Sequence, residues 1–232
     1  MRSYSYSQIN RWVNCPLSWK YDKIDKLPQM ESLLLTQGRI LHEKVDQYIK
    51  YLVKDKLTSD LTWPGLTEGM YGLPEGADLM DKFARSFVLN PETHFESELE
   101  IAINEKGKVV TWWDKTAWFR FKIDKVDIDE KKLIITDWKS GWNTDIDKFQ
   151  LEIYAWGMSQ YKGLDGFDTV LVKNHFIRYK IEKSVEIPVS SIPTIEKKVR
   201  KIVAQMEKET KFEAKQAVFA HCAGMPASVP NE

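Results

Sequence analysis

Two runs of alternating residues, Phe121-Lys122-Ile123-Asp124-Lys125-Val126-Asp127-Ile128 and Leu133-Ile134-Ile135-Thr136-Asp137-Trp138-Lys139, flank the polar tetrapeptide Asp129-Glu130-Lys131-Lys132. This spacing constrains the chain more than any other feature, because strand-like runs joined by four polar residues read as an antiparallel hairpin. Setting Ile128 against Leu133 puts Asp124 opposite Asp137 and Lys122 opposite Lys139. Directly opposed residues share a face, with β-carbons about 4.5–5.5 Å apart. Lys139, two residues beyond Asp137, lies on that face too. Val126, Ile128, Leu133 and Ile135 make the rest of the face apolar and therefore core. Opposed carboxylates at the edge of a buried face repel each other, and a hard divalent cation with oxygen ligands is the simplest compensation. A neighbouring lysine can then orient or deprotonate a metal-bound water and stabilise charge developing on a phosphate. Alternating charges on a hairpin also occur simply because they face water. Their agreement in one register favours the metal-site reading, since a slip of one residue would destroy it.

The composition permits such a core. Of 232 residues, 43% are hydrophobic and 29% charged, which excludes disordered, collagen-like and coiled-coil chains and suits one domain. Lys+Arg and Asp+Glu both total 34, so the chain is no bulk polycation, although a local basic groove remains compatible with neutrality. No apolar run reaches membrane-spanning length, and the opening Met1-Arg2-Ser3-Tyr4-Ser5 lacks a signal peptide's apolar block. No membrane partner is expected. Two cysteines, Cys15 and Cys222, cannot build a disulfide framework, and the expected location is cytoplasmic.

Along the chain, Ser5 caps a short helix with Ile9, Trp12 and Val13 turned inward, and Asn14-Cys15-Pro16 ends it. Ile40, Leu41, Val45, Tyr48, Ile49 and Leu52 recur at helical spacing in a long helix over 32–54. Residues 62–76 read as a loop, the core of an insertion near 60–77, and 78–88 as a further helix. Strands follow at 98–104, 109–113, 117–128 and 133–138, then a turn at 141–144 and a helix capped by Asp145 and running to Tyr161. Strands at 169–176 and 177–187 precede an amphipathic helix marked by Ile195, Val199, Ile202 and Met206. The expected fold is α/β, a mixed central β-sheet flanked by helices, in one domain over 1–232. Lys173, His175, Arg178, Lys180 and Lys183 cluster on the late strands as candidates for phosphate contact.

Ile123-Asp124 followed by Ile135-Thr136-Asp137-Trp138-Lys139-Ser140-Gly141 resembles the catalytic strands of the PD-(D/E)XK nuclease superfamily. The resemblance is closest to the RecB-like branch, with its Cas4 nucleases and the nuclease domains of RecB and AddAB. Gln37-Gly38-Arg39-Ile40-Leu41-His42 resembles that branch's Gly-x-x-x-His helix, Gln150-Leu151-Glu152-Ile153-Tyr154 its Gln-x-x-x-Tyr helix, and Ser5-Tyr6-Ser7 through Cys15-Pro16 its N-terminal segment. The ordered set covers nearly the whole chain.

The resemblance implies the restriction-endonuclease-like core and a DNA nuclease using Mg²⁺ or Mn²⁺. His42, Asp124, Asp137 and the Trp138 carbonyl would hold the metal, Lys139 would assist the attacking water, and Gln150 and Tyr154 would position substrate. Glu98 or Glu100 would fill a further acidic position, although an exposed strand glutamate is the ordinary reading of either. The expected activity is exonucleolytic hydrolysis of DNA from single- or double-stranded ends in recombination, repair or phage replication, in the host cytoplasm if phage-encoded. Two alternatives share the fold: a catalytically weak or inactive DNA-binding or assembly protein, and a Cas4-type CRISPR adaptation nuclease. A carboxylate-pair glycosidase fits Lys139 and the histidine helix poorly.

The chain departs from the resembling pattern at Phe121 and Lys122, where glycine is usual before the first aspartate. It departs again in its thiols. Cas4-like members hold a [4Fe–4S] cluster on four cysteines, whereas here Cys15 and Cys222 are joined by nothing softer than His221 and Met225. No iron–sulfur cluster is expected, and packing of Trp12, Trp19 and Phe219 would join the chain ends instead. Protein purified anaerobically should show neither the broad visible absorbance of a cluster nor stoichiometric iron; a brown, iron-loaded protein would move the assignment to the Cas4-like type.

Overall fold

A computed structural model describes residues 2–28, 32–70, 72–73, 75–90, 94–128 and 132–215. The elements run β1 (Tyr4–Ser5), α1 (Tyr6–Asn14), α2 (Pro16–Lys23), α3 (Leu33–Lys54), α4 (Gly76–Ser86), β2 (His94–Asn104), β3 (Val109–Val110), β4 (Ala117–Ile128), β5 (Leu133–Lys139), α5 (Lys148–Tyr161), β6 (Thr169–Phe176), β7 (Ile181–Pro188) and α6 (Ile192–Lys208). The strands form one mixed sheet in the order β3-β2-β4-β5-β6-β7, with β1 parallel to the start of β4. β5 and β6 are parallel, with α5 making the crossover between them, and the remaining neighbours are antiparallel.

The hairpin register is as its sequence implies from Ile128–Leu133 to Lys125–Thr136, but the ladder ends there and the expected pairing of Asp124 with Asp137 does not form. Alternation along β5 then feeds two cores. Leu133 and Ile135 join Leu151, Trp156, Val199 and Val203 on the α5/α6 face. Trp138 joins Leu41, Val45, Tyr48, Leu79 and Phe83 on the α3/α4 face. The sheet is thus covered on both sides, as parallel pairing requires.

Several elements differ from the sequence reading. Val13 is 42% exposed rather than inward, since the short α1 buries only Ile9 fully. Cys15 ends α1 and caps a second helix, α2, its Sγ accepting from Ser18 N at 3.4 Å. This gives a buried cysteine a local structural role. The strand expected over 109–113 stops at Val110, because Asp114 turns the chain by accepting from Thr116 N at 2.7 Å. The N-cap of α5 is Asp147, not Asp145; its Oδ1 accepts from Gln150 N at 3.1 Å and its Oδ2 from the Tyr6 hydroxyl. A 3₁₀ turn at Ile177–Tyr179 and a left-handed Lys180 separate β6 from β7. The 62–76 loop is anchored on the core, with Leu66 and Met70 buried and Trp63 stacked 5.4 Å from Tyr51. At the chain ends, Trp19 stacks on Phe212 at 6.2 Å; Phe219, His221, Cys222 and Met225 lie outside the described residues.

One close approach governs how α5 meets the sheet. A β-carbon on Gly157 would stand 2.7 Å from Phe121 Cδ1 and 2.8 Å from its Cγ. Phe119 and Trp156, at ring-centroid distances of 4.9 and 5.0 Å, pack against the Phe121 ring. Gly157→Ala should therefore destabilise the protein by about 1–2 kcal/mol, overpacking outweighing the gain of about 1 kcal/mol in helix propensity. The urea midpoint measures this. A midpoint raised by the substitution would show that the ring has room to move.

Candidate active site

The site forms where β4 parts from its neighbours. β1 pairs with Phe119 and Arg120 and β5 with residues from Lys125 onward, so neither ladder includes residues 121–124 of β4. Across β2, the pairs Ser97–Lys125 and Leu99–Ile123 bracket Asp124, and Glu98 between them has a left-handed φ of 49°. A non-glycine residue in that region mid-strand carries strain of order 1–3 kcal/mol, which typically marks a functional site.

Asp124 uses the opening. Its Oδ2 accepts from Trp138 N at 2.7 Å and its Oδ1 lies 3.2 Å from His42 Nδ1. His42 arrives from α3, whose first turns pack close enough that a β-carbon on Gly38 would sit 3.5 Å from Ser140 Oγ. Burial pulls the His42 imidazole down, but the Asp124 charge and hydrogen bond outweigh it and raise its pKa from 6.5 to about 9.

Asp137 is 3% exposed. Lys139 Nζ lies 2.7 Å from its Oδ2, to which Asn174 Nδ2 also donates at 2.9 Å. On Oδ1 it accepts from the Tyr154 hydroxyl at 3.1 Å and from Gln150 Nε2 at 3.3 Å. Lys139 also donates to Gln150 Oε1 at 2.8 Å, and Gln150 Nε2 to the Tyr154 oxygen at 2.8 Å. Burial pushes the Asp137 carboxyl above its ordinary range; Lys139 opposes that shift and the Asp124 charge adds to it. Burial, with the Asp137 and Asp124 charges, also raises Tyr154 well above 10, so the phenol keeps its proton and acts as a donor.

The structure thus brings His42, Asp124, Trp138, Asp137, Lys139, Gln150 and Tyr154 into one connected cluster. Among the described residues, those whose donor atoms lie within 4.8 Å of one another are His42, Glu98 and Asp124. Asp137 stands outside that group, its oxygens taken up by the donors just named. An imidazole and two carboxylates can ligate a divalent ion, which would take the place of the His42 proton and the Lys122 ammonium that balance the two carboxylates here.

Between Glu98 and Glu100 the choice is now made. Glu100 is exposed, whereas Glu98 is half-buried beside the site. Lys122 pairs with Glu100 across β2 and bonds Glu98 at 2.6 Å, so it does not sit opposite Lys139. Asn174 was missed by sequence reasoning; it lies between Lys173 and His175 in β6, and an asparagine within a strand was the available signal. The late-strand cations disperse: Lys173 and His175 both contact Glu182, Arg178 is buried, and Lys183 bonds the Thr144 carbonyl. A cleft of about 380 Å³, lined by Ser3, Ser5, Ser7, Arg120 and Lys122, opens onto Gln150 and Tyr154.

Comparison with known proteins places this geometry. The profile of the PD-(D/E)XK nuclease superfamily matches residues 3–225. The chain belongs to that superfamily. A relative, the gene 69 protein of Mycobacterium phage D29, is 25% identical over 191 residues, covering 69% of this chain and 70% of that protein. The fold is shared with a candidate exonuclease from Eubacterium rectale at a TM-score of 0.55 and 10% identity, over 99% of this chain and 91% of the other. Members of this superfamily use divalent metals, and the His42–Glu98–Asp124 group is where this PD-(D/E)XK chain could take one.

Calorimetric titration with Mn²⁺ should show a site that Asp124→Asn abolishes. Glu98→Gln should weaken it by at least the ~10-fold that losing an outer partner costs, while Glu100→Gln leaves it unchanged. Parent-like binding by Glu98→Gln would remove Glu98 from the group.

Proposed function

We propose that this chain is a divalent-metal-dependent deoxyribonuclease that hydrolyses DNA phosphodiester bonds from strand ends. The observation that carries the reading is the bonded chain Tyr154–Gln150–Lys139–Asp137, set beside Asp124 and His42 where two strands part. Lys139 bridges the buried Asp137 carboxylate and the Gln150 amide while its side chain remains 30% exposed. An ammonium so placed can donate to a phosphate oxygen, and the neutral amine formed when it gives up a proton can take one from an attacking water.

In this reading His42, Glu98 and Asp124 would hold Mg²⁺ or Mn²⁺, with Asp137 and the Trp138 carbonyl beside them. The bound ion supplies charge neutralisation and lowers the pKa of water. Asn174 and Tyr154 hold the Asp137 carboxylate in one orientation. Gln150 keeps Lys139 pointed at the opening rather than folded onto Asp137 alone. The name of the Eubacterium rectale protein supports exonuclease action, and the phage relative supports a phage protein acting inside a host cell. The RecB-like motif order supports recombination or repair as the wider setting.

The test is cleavage of end-labelled linear DNA, single- and double-stranded, beside a covalently closed circle, with Mg²⁺, Mn²⁺ or EDTA. Linear DNA should be degraded, the circle spared and EDTA inhibitory. Lys139→Ala should cut the rate by about 10²-fold or more while metal binding survives, and Asp124→Asn should abolish cleavage. DNA binding without cleavage in either metal would favour the inactive assembly protein, and parent-like cleavage by both variants would refute the site.

A further inference from the structure

The chain leaves β5 at Lys139 and three residues later exposes an indole. Trp142 is 63% exposed. One side of its ring is occupied: the Arg178 guanidinium carbon lies 3.6 Å from the ring centroid. Arg178 is itself 8% exposed and fixed from behind, donating to Glu75 Oε2 at 2.5 Å and to the Ser140 carbonyl at 3.4 Å. Its Nε is buried with no hydrogen-bond partner among the described residues. An arginine held at the cost of an unmet donor is placed for its planar face rather than for its hydrogen bonds. The segment carrying the indole is pinned as well. Tyr179 donates to the Trp142 carbonyl at 3.0 Å, Lys183 to the Thr144 carbonyl at 2.7 Å, and Asp145 N to Asn143 Oδ1 at 2.8 Å.

The result is a rigid aromatic plate, backed by a cation and open to solvent. Three residues of chain reach at most about 11 Å, so the plate stands within a nucleotide or two of whatever Lys139 contacts. Aromatic faces bind nucleobases by stacking, and stiffness lowers the ordering cost of doing so.

We propose that Trp142, backed by Arg178, is the platform on which an unpaired base of the substrate strand stacks beside the scissile phosphate. This rests on the nuclease reading above and adds what that reading lacks, a substrate class. Inside a duplex both faces of a base are covered by its neighbours. At a blunt end the free face belongs to a base pair held in the duplex, whereas an unpaired base can turn onto a single indole, so the platform favours single-stranded ends over paired DNA. The rival occupant is a second copy of this chain, since Leu34 and Leu35, one turn before Gly38 on α3, are 59% and 66% exposed. The single plate backed by a cation favours a flat π-system over an apolar side-chain surface.

The experiment compares the parent with Trp142→Ala and Trp142→Phe on an end-labelled single-stranded oligonucleotide and the matching blunt duplex. A second arm reads quenching of 2-aminopurine near the strand end in the Lys139→Ala background, where binding is separated from cleavage. Trp142→Ala should lower kcat/KM on the single strand by about 10- to 100-fold, through KM with kcat retained. It should change duplex cleavage far less and abolish the 2-aminopurine quench, while Trp142→Phe restores most of both. Thermal midpoint and Mn²⁺ affinity should stay at parent values, which a merely structural indole would not allow. Parent-like single-strand kinetics and quench in Trp142→Ala would overturn the platform while leaving the nuclease reading intact. If the parent cleaves nothing, that reading fails, and a quench lost in Trp142→Ala still supports the platform. Sedimentation showing a parent dimer that Trp142→Ala makes monomeric, with DNA binding unchanged, would assign the indole to self-association and overturn the proposal.

Discussion

A carboxylate withdrawn from water must be compensated by hydrogen bonds or opposite charge, or it takes up a proton. Asp137 is that carboxylate here, and much of the architecture is the means of compensating it. Its partners come from its own strand (Lys139), from the crossover helix (Gln150 and Tyr154) and from the neighbouring parallel strand, where Asn174 is its register partner. Meeting the requirement therefore ties α5 and β6 to β5 at one point. The same contacts position the groups best suited to phosphoryl chemistry, so stabilising the fold and organising the site are not separable tasks in this chain.

The second constraint is the parting of the strands. A continuous β4–β5 ladder would satisfy the Trp138 N–H with a backbone carbonyl and bring the two aspartates face to face. Instead the Asp124 side chain takes that N–H, the ladder ends at Lys125–Thr136, and Glu98 adopts a left-handed conformation on the other flank. These departures from regular sheet coincide at one residue. They open a gap that His42, carried on a helix from the opposite layer, can enter. The chain shares its fold with a structure only 10% identical to it, so that fold does not depend on one particular packing sequence.

Much of this was legible in the residues because it depends on local spacing. The period-2 alternation of 121–128 and 133–139 set the hairpin register. The 3.6-residue recurrence of Leu41, Val45, Tyr48, Ile49 and Leu52 set α3, while His42 was marked out on it only by the family resemblance. What escaped depends on backbone detail or distant contact. Glu98 and Glu100 share a face in a regular strand, and the φ of Glu98, its burial and its place beside His42 and Asp124 separate them. Asp145 and Asp147 are equally good caps until Tyr6, far away in sequence, bonds one of them.

The sequence by itself determined the hairpin, the helix that delivers the histidine, the α/β order and the chemical character of the site, since each follows from side-chain type at fixed local separations. Only the tertiary structure decided which groups surround Asp137, that Glu98 and not Glu100 joins His42 and Asp124, and that Arg178 lies beneath Trp142. Those contacts join residues on separate elements, and their energies depend on desolvation and distance, quantities that exist only once the layers have packed.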